Sequence, residues 1–465
     1  MKKYIQTSAL LLVLLLPTVL FSQEIGTPEN YRNTVVKDTA NSTTIKWNEF
    51  FKEPDLIKLI EEAVAKNNDL QIADKNVAIA NLQYKQSKWG NVPQLNGFAN
   101  AGTTRLSDNS LNGANISQSL GKKHIEEYNA GIGLSWEADI WGKIRNQKKS
   151  ALNTYLQTAE AKKALQTAII AEVSNGFYDL IMLDAQLDIA KRTLALNDST
   201  LFIVNLQYES GQVTALAKQQ TEAQRLIAAQ LVPQLEQNIQ IVENGISVLT
   251  GSFPDTKERT SKLNTLTVRE DFSAGIPAQL LNRRPDVKAA ELALKVANAD
   301  VEITKAGLYP TLSITANAGA SSFEISNWFN LPGSLFGSVA GGLTAPLLNG
   351  KKLRTRYEIS KLERDQAAIQ FQQTILVAVS EVSNALAGVD KLSQQYTISK
   401  QRVATLQAAI SNADLLFKNG MATYLEVIIA QGNLLNAQLE LAAIKKDQLV
   451  ANVELYRALG GGWEN

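Results

Sequence analysis

At 465 residues with a formal net charge of +1 and 20% charged residues, the chain has no concentration of positive charge to suit a nucleic-acid partner. It contains no cysteine, which excludes disulfides, thiol catalysis, thiolate metal sites and a lipid carried on an amino-terminal Cys. Packing and backbone hydrogen bonds must hold it together.

Met1-Lys2-Lys3, the apolar run from Ala9 to Phe21 and the small residue Ser22 have the charged start, short apolar middle and small-residue end of a secretory signal peptide, assigned to residues 1–22. The run contains Pro17 and falls short of the roughly 20 residues a spanning helix needs. No hydrophobic helix able to cross a bilayer is expected in the mature chain. Residues 23–53 are polar and weakly patterned and read as an extended segment over the surface.

From Pro54 the spacing of Leu56, Leu59, Ile60, Ala63 and Val64 predicts a helix that continues past Asn68-Asp69 to about residue 88. A counterpart opens at Arg283-Arg284-Pro285-Asp286 and runs to about residue 306. Proline in the first turn costs no hydrogen bond there, and the carboxylate faces the positive end of the helix dipole. The two helices match at a spacing of 217: Asp69 with Asp286, Gly90 with Gly307, Pro93 with Pro310, and Ala99-Asn100-Ala101-Gly102 with Ala316-Asn317-Ala318-Gly319.

After each of those prolines the period changes to two. Tyr128, Ala130, Ile132, Leu134 and Trp136 alternate with small or polar residues, as do Leu312, Ile314, Ala316 and Ala318, while Leu335, Val339 and Leu343 mark one face of a further segment. Four strands are predicted, at about 94–107, 127–138, 311–322 and 334–345. A soluble hairpin with one face on a core would show the same alternation. Each strand is nevertheless near the 9–11 residues that cross a bilayer at a tilt, and Tyr128 and Trp136 suit an interfacial girdle. Set between very long helices, these faces have no other apolar layer to touch. Four strands cannot close a barrel, so lipid insertion requires copies to associate. The segments 108–126, rich in Ser, Asn and Gly, and 323–333, with Trp328, Phe329 and Pro332, are expected to be external loops.

Lys143 to Tyr208 holds no proline and one glycine, Gly176, and predicts one helix about 100 Å long at 1.5 Å per residue. Lys351 to Phe417 has the same character. The two are copies at a spacing of 209: Glu172-Val173-Ser174-Asn175 returns as Glu381-Val382-Ser383-Asn384, Arg145 as Arg354, Gly211 as Gly420, Leu216 as Leu425 and Gly251 as Gly460. The fall from 217 to 209 implies an insertion of about eight residues between Gly102 and Arg145, in a loop. Val403, Leu406, Ile410, Ala413 and Phe417, with Leu425, Ile428, Gly432, Leu435, Leu439 and Ala442, step by threes and fours as a coiled-coil seam. Each half is thus a helical hairpin with its tip at Gly211 or Gly420, glycine fitting just past a helix end. The divisions are 54–251 for the first repeat, 252–279 for a linker and 280–465 for the second repeat.

Trp47 before Pro54-Asp55-Leu56, the string Leu280-Leu281-Asn282-Arg283-Arg284-Pro285-Asp286, the tip glycines and the ending Leu459-Gly460-Gly461-Gly462-Trp463 resemble the TolC-like outer membrane efflux proteins, in their NodT/OprM-type branch that serves RND pumps. The resemblance implies an α+β membrane protein. It would form a homotrimer whose single 12-stranded barrel, four strands per chain, sits in the outer membrane of a Gram-negative bacterium and continues into a periplasmic α-helical barrel. It further implies a passive exit duct joined by a periplasmic adaptor to an inner-membrane pump. In that family the periplasmic end is narrowed just after the second tip by a Leu and, four residues on, an Asp. Leu425 and Ile429 stand there, so the apolar ring is kept and the acidic one is lost, while Glu426 supplies a carboxylate nearby. Leu216 and Gln220 are their counterparts in the first half, and Gly211, Gly420 and Met421 are the expected adaptor contacts. Many relatives in this branch carry a lipid on Cys after the signal peptide, so anchoring here would rest on the barrel alone.

Nothing in the sequence points to catalysis or to a cofactor. The single histidine, His124, is expected to be solvent-exposed in an external loop among Lys122, Lys123, Glu126 and Glu127. Two alternatives to the efflux reading are the outer membrane component of a type I secretion system and a non-conducting trimeric coiled-coil protein. The second gives four amphipathic strands no purpose.

Overall fold

The computed structural model describes Tyr31, residues 46–269 and residues 283–463. The signal peptide, most of segment 23–53 and the later part of the predicted linker lie outside the described residues.

The end of the segment read as extended contains a helical turn, α1 (Trp47–Phe50), with Trp47 and Phe51 buried and Phe50 stacked on Tyr456 at 4.1 Å between ring centroids. Aromatic burial fixes this stretch, where polar composition had suggested a loose run. The single helix expected over 54–88 is two: α2 (Pro54–Lys66) and α3 (Asn68–Ser87). Asn67 makes the break. Its Oδ1 accepts from the backbone N–H of Asp69 and Leu70, and its Nδ2 donates to Leu249 O at 3.0 Å. Apolar spacing carries across such a cap, so periodicity alone missed it. Leu56, Leu59, Ile60 and Ala63 form the buried face of α2, the larger of them contributing about 2 kcal/mol each.

The remaining elements are β1 (Gln94–Arg105), α4 (Leu111–Leu120), β2 (His124–Ala138), α5 (Lys143–Glu209), α6 (Ala215–Leu249), α7 (Pro285–Ala306), β3 (Thr311–Ser322), β4 (Leu335–Thr344), α8 (Lys352–Lys418) and α9 (Tyr424–Ala458). The connection read as an unstructured loop carries α4, and β2 starts at His124, which pairs with Arg105. His124 is therefore a strand end, with a half-exposed side chain. In both halves a helix of 67 residues is followed by one of 35. The long helix α5 packs against α2, α3, α6, α7 and α9, and the two hairpins are α5–α6 and α8–α9.

The helices above and below join end to end. Asn67 binds the last turn of α6 while Gly251, at φ +63°, turns the chain so tightly that a Cβ would lie 2.5 Å from Lys66 O. In the second half Arg284 donates to Ala458 O at 3.0 Å, and Gly460 holds φ +90° beside Arg283. Arg284 is buried, its guanidinium shared between Asp286 at 2.6 Å and Glu381 at 2.7 Å, and Arg457 reaches Glu381 at 3.3 Å. A strap from the linker ties three helices: Arg259 binds Asp184 on α5 and Glu243 on α6, and Thr260 donates to Asp55 on α2.

The four strands form one antiparallel sheet in the order β1-β2-β3-β4. Its register aligns Leu95, Leu134, Ala316 and Val339 in one row and Trp136, Ile314 and Gly341 in another. The aliphatic positions Leu95, Ile132, Leu134, Ile314, Val339 and Leu343 thus share one face, while Phe98 and Phe336 lie on the other. Leu95, Ile132, Leu335, Val339 and Leu343 are 53–80% exposed on the aliphatic face, so among the described residues no core covers that face. One helix, α9, is long and apolar enough by length and composition to cross a bilayer, contrary to the sequence expectation. It packs instead on α5 and α8, with Leu434, Leu435, Ala442, Leu449 and Val453 buried.

Burial pushes the Asp286 carboxyl up, but the hydrogen bonds and charge of Arg284 more than offset this and hold it below the ordinary value. A carboxylate depressed in the folded state adds stability that is full above its unfolded value and is lost as pH falls through the folded one. Arg284→Ala should cost about 3 kcal/mol near neutrality because it strands Asp286 and Glu381. Thermal unfolding of detergent-solubilised protein measures this, and the gap between wild type and Asp286→Asn should shrink on acidification below about pH 4.

Candidate functional site

The tips are built by local capping. The last turn of α5 closes through Gly211, at φ +74°, whose N–H donates to Tyr208 O at 2.9 Å, and through Gln212, whose N–H donates to Gln207 O at 2.8 Å. Gly420, at φ +72°, and Met421 make the same pair of bonds to Phe417 O and Leu416 O. This left-handed closure is where glycine is required. Three residues after each glycine a threonine starts the next helix: the Thr214 hydroxyl accepts from Ala217 N–H and the Thr423 hydroxyl from Leu425 N–H. Glu426 completes a capping box by accepting from Thr423 N–H at 3.0 Å and from the Thr423 hydroxyl. The hydroxyl bond holds the exposed Glu426 carboxyl below its ordinary value, so it is charged at neutral pH.

The two tips pack together through Val204 and Ala217 of the first hairpin and Phe417 and Val427 of the second, all buried. The Tyr424 hydroxyl donates to Gln220 Oε1 at 2.7 Å, and the buried Gln431 Nε2 donates to Thr200 Oγ1 at 2.9 Å. Of the expected site residues, the structure brings Gln220 against the second hairpin. Leu216, Leu425 and Ile429 are 58%, 43% and 54% exposed. The expected seam is corrected here, since Val427 and not Leu425 is buried. Leu425 and Ile429, four apart, share the outward face of α9. Gly211, Gly420 and Met421 are exposed at the extreme end.

Sequence reading missed Tyr424, Thr200 and Gln431. The pairings between hairpins have no local signature. Thr423 with Glu426 three residues on could have been read as a helix start.

At the opposite end, Tyr128 lies 5.7 Å from Trp328 between ring centroids. Trp136, near the other end of β2, donates its indole N–H to Asn91 O at 3.0 Å. The two expected girdle residues therefore sit toward opposite ends of one strand, eight residues apart on the apolar face.

A sheet with one large exposed apolar face, continuous with two hairpins that each pair a helix of 67 residues with one of 35, defines the class of membrane channels that carry a long helical extension. The family model described as outer membrane efflux protein matches residues 59–252 and 276–461. The chain belongs to the outer membrane efflux protein family and is an outer membrane efflux channel. It is 31% identical over 421 residues to the solvent efflux pump outer membrane protein SrpC of Pseudomonas putida, covering 90% of this chain and 87% of that one. It is 28% identical over 435 residues to the cation efflux system protein CusC of Escherichia coli K12, covering 93% and 92%. A crystal structure of CusC that describes conformational changes on folding and transmembrane channel formation superposes with a TM-score of 0.82 at 26% identity, covering 94% and 97%.

Glu426→Ala should open the first turn of α9 by about 1 kcal/mol, whereas Glu426→Gln, which keeps an acceptor for the capping box, should stay within a few tenths. Amide hydrogen exchange at Leu425 to Val427 reads the difference.

Proposed function

We propose that three copies close the four-stranded sheets into one 12-stranded barrel and their helices into a periplasmic tunnel, gated at the tips. The observation that carries this is the sheet itself, with an apolar face that is exposed among the described residues and outer edges on β1 and β4 that no described strand pairs. Unpaired backbone groups in hydrocarbon cost several kcal/mol each, and neighbouring copies supply the partners. Leu425 and Ile429 would form the narrowing by dewetting, with the three Glu426 carboxylates favouring cations. Leu216 and Gln220 flank the narrowing from the first hairpin. Gly211, Gly420 and Met421 would meet a periplasmic adaptor that couples the duct to an RND-type inner-membrane pump. The relatives' names, a solvent efflux pump and a cation efflux system, favour efflux over type I secretion, and on this reading the choice of cargo lies in the pump.

In planar bilayers, Leu425→Ser/Ile429→Ser channels should conduct severalfold better than wild type; equal conductance removes the gate assignment. Reversal-potential measurements should show weaker cation preference in Glu426→Gln. An unchanged preference would take that carboxylate off the conduction path.

On unheated gels the detergent-extracted protein should run as a trimer that heating converts to monomer. Migration as monomer before heating counts against the shared barrel.

A further inference from the structure

The four places where the chain passes between sheet and helix carry exposed apolar side chains, and at three of them positive charge stands on the helical side. Trp89 is 71% exposed, Trp141 47%, Tyr309 40%, Leu347 90% and Leu348 99%. In the chain these side chains stand between the strands and the helices that adjoin them. They are also fixed to one another: Trp141 donates its indole N–H to Pro310 O at 2.7 Å and stacks on Tyr309 at 4.6 Å between centroids, tying two junctions together. Trp136 ties a third through Asn91.

On the helical side stand Lys88, Lys148, Lys149, Lys351, Lys352 and Arg354, all exposed, in a chain whose net charge is only +1. The nearby carboxylates are occupied: Glu137 pairs with Lys143 at 3.1 Å, and Asp139 accepts from Ile144 N–H and Arg145 N–H at 2.9 Å each. Lys351 is independently informative. It precedes α8 at φ +64°, whereas Gly142, at the corresponding position before α5, has φ +73°. A left-handed backbone costs any residue with a Cβ, and Lys351 is the only non-glycine residue with positive φ among the described residues. A lysine held there against its backbone preference marks a position where the charge is used.

We infer that these junctions bind the headgroups of anionic phospholipids in the leaflet nearest the helical wall. The inference rests on the outer membrane placement. Aromatic rings settle at the headgroup level, and lysine and arginine just beyond them reach phosphate while their stems lie along apolar surface. Clusters of this kind attract acidic lipid electrostatically and lose that attraction with salt.

The test uses full-length protein in dioleoylphosphatidylcholine vesicles doped with brominated phosphatidylcholine or brominated phosphatidylglycerol, reading tryptophan quenching. Wild type should associate with phosphatidylglycerol on the order of fivefold more strongly than with phosphatidylcholine at low salt, falling toward parity in high salt. Lys149→Gln/Lys351→Gly/Lys352→Gln/Arg354→Gln should lose the preference while brominated phosphatidylcholine quenches it as before, which shows that it is inserted. Lys351→Gly alone should lower the preference yet raise the detergent melting temperature. Equal association of wild type with both lipids, or an unchanged preference in the fourfold variant, overturns the headgroup site alone. Quenching by neither lipid would overturn the membrane placement and the site with it.

Discussion

Hydrocarbon offers no hydrogen bonds, and that constraint governs the rest of this structure. A sheet of four strands with an apolar face satisfies its interior ladder and leaves the outer edges of β1 and β4 to be paired from outside. In the proposed trimer the sheet is an arc of a shared cylinder, and the helices that leave its four junctions are arcs as well. Their wall would then be one helix thick, with water on both sides. That accounts for the abundance of Ala, Gln, Asn and Thr on α5 and α8 and for the scarcity of a wide apolar stripe.

Such a wall needs lateral and vertical continuity without a thick core. Lateral continuity comes from α5, which touches both hairpins and whose Val173, Phe177, Leu180 and Ile181 form the deepest part of the main cluster. Vertical continuity comes from splices in which one helix ends where another begins. The polar groups freed at each splice are consumed locally, by Asn67 in the first half and Arg284 in the second. These residues are 217 apart, whereas the glycines that end the preceding helices, Gly251 and Gly460, are 209 apart. The same mechanical problem is therefore solved twice with different side chains. The buried arginine also recruits Glu381 from α8, making the second splice a junction of three helices.

What the sequence made legible follows from periodicity and repetition. The long helices, the alternating faces of the strands and the tip glycines are set by patterns that recur at fixed spacing, and the strand ends fell within three residues of those observed. Three features were illegible for physical reasons. The break at Asn67 lies in an unbroken apolar pattern and depends on a carbonyl 182 residues away. The helix α4 lies in a stretch rich in Ser, Asn and Gly, residues that also serve as caps and turns. At the tip, heptad counting put Leu425 in the seam, but the N-terminal cap at Thr423 sets the helix phase so that Val427 faces inward.

That phase is what allows one turn of α9 to do two jobs. Tyr424 and Val427 hold the second hairpin to the first, while Leu425 and Ile429 are left facing away from both. On the proposed reading, splaying the hairpins must break the Tyr424–Gln220 and Gln431–Thr200 hydrogen bonds, worth about 1 kcal/mol each net, and expose part of the Val204, Ala217, Phe417 and Val427 cluster at about 25 cal/mol per Å². The sum is a few kcal/mol per chain, which would hold the two hairpins together in the absence of a partner. It is also small enough for a partner that prefers the open tips to reverse, since a shift from 1:99 to 99:1 requires only about 5.5 kcal/mol of differential binding. The capping box leaves that balance undisturbed, because Glu426 and Thr423 bond within one helix turn and move together with it.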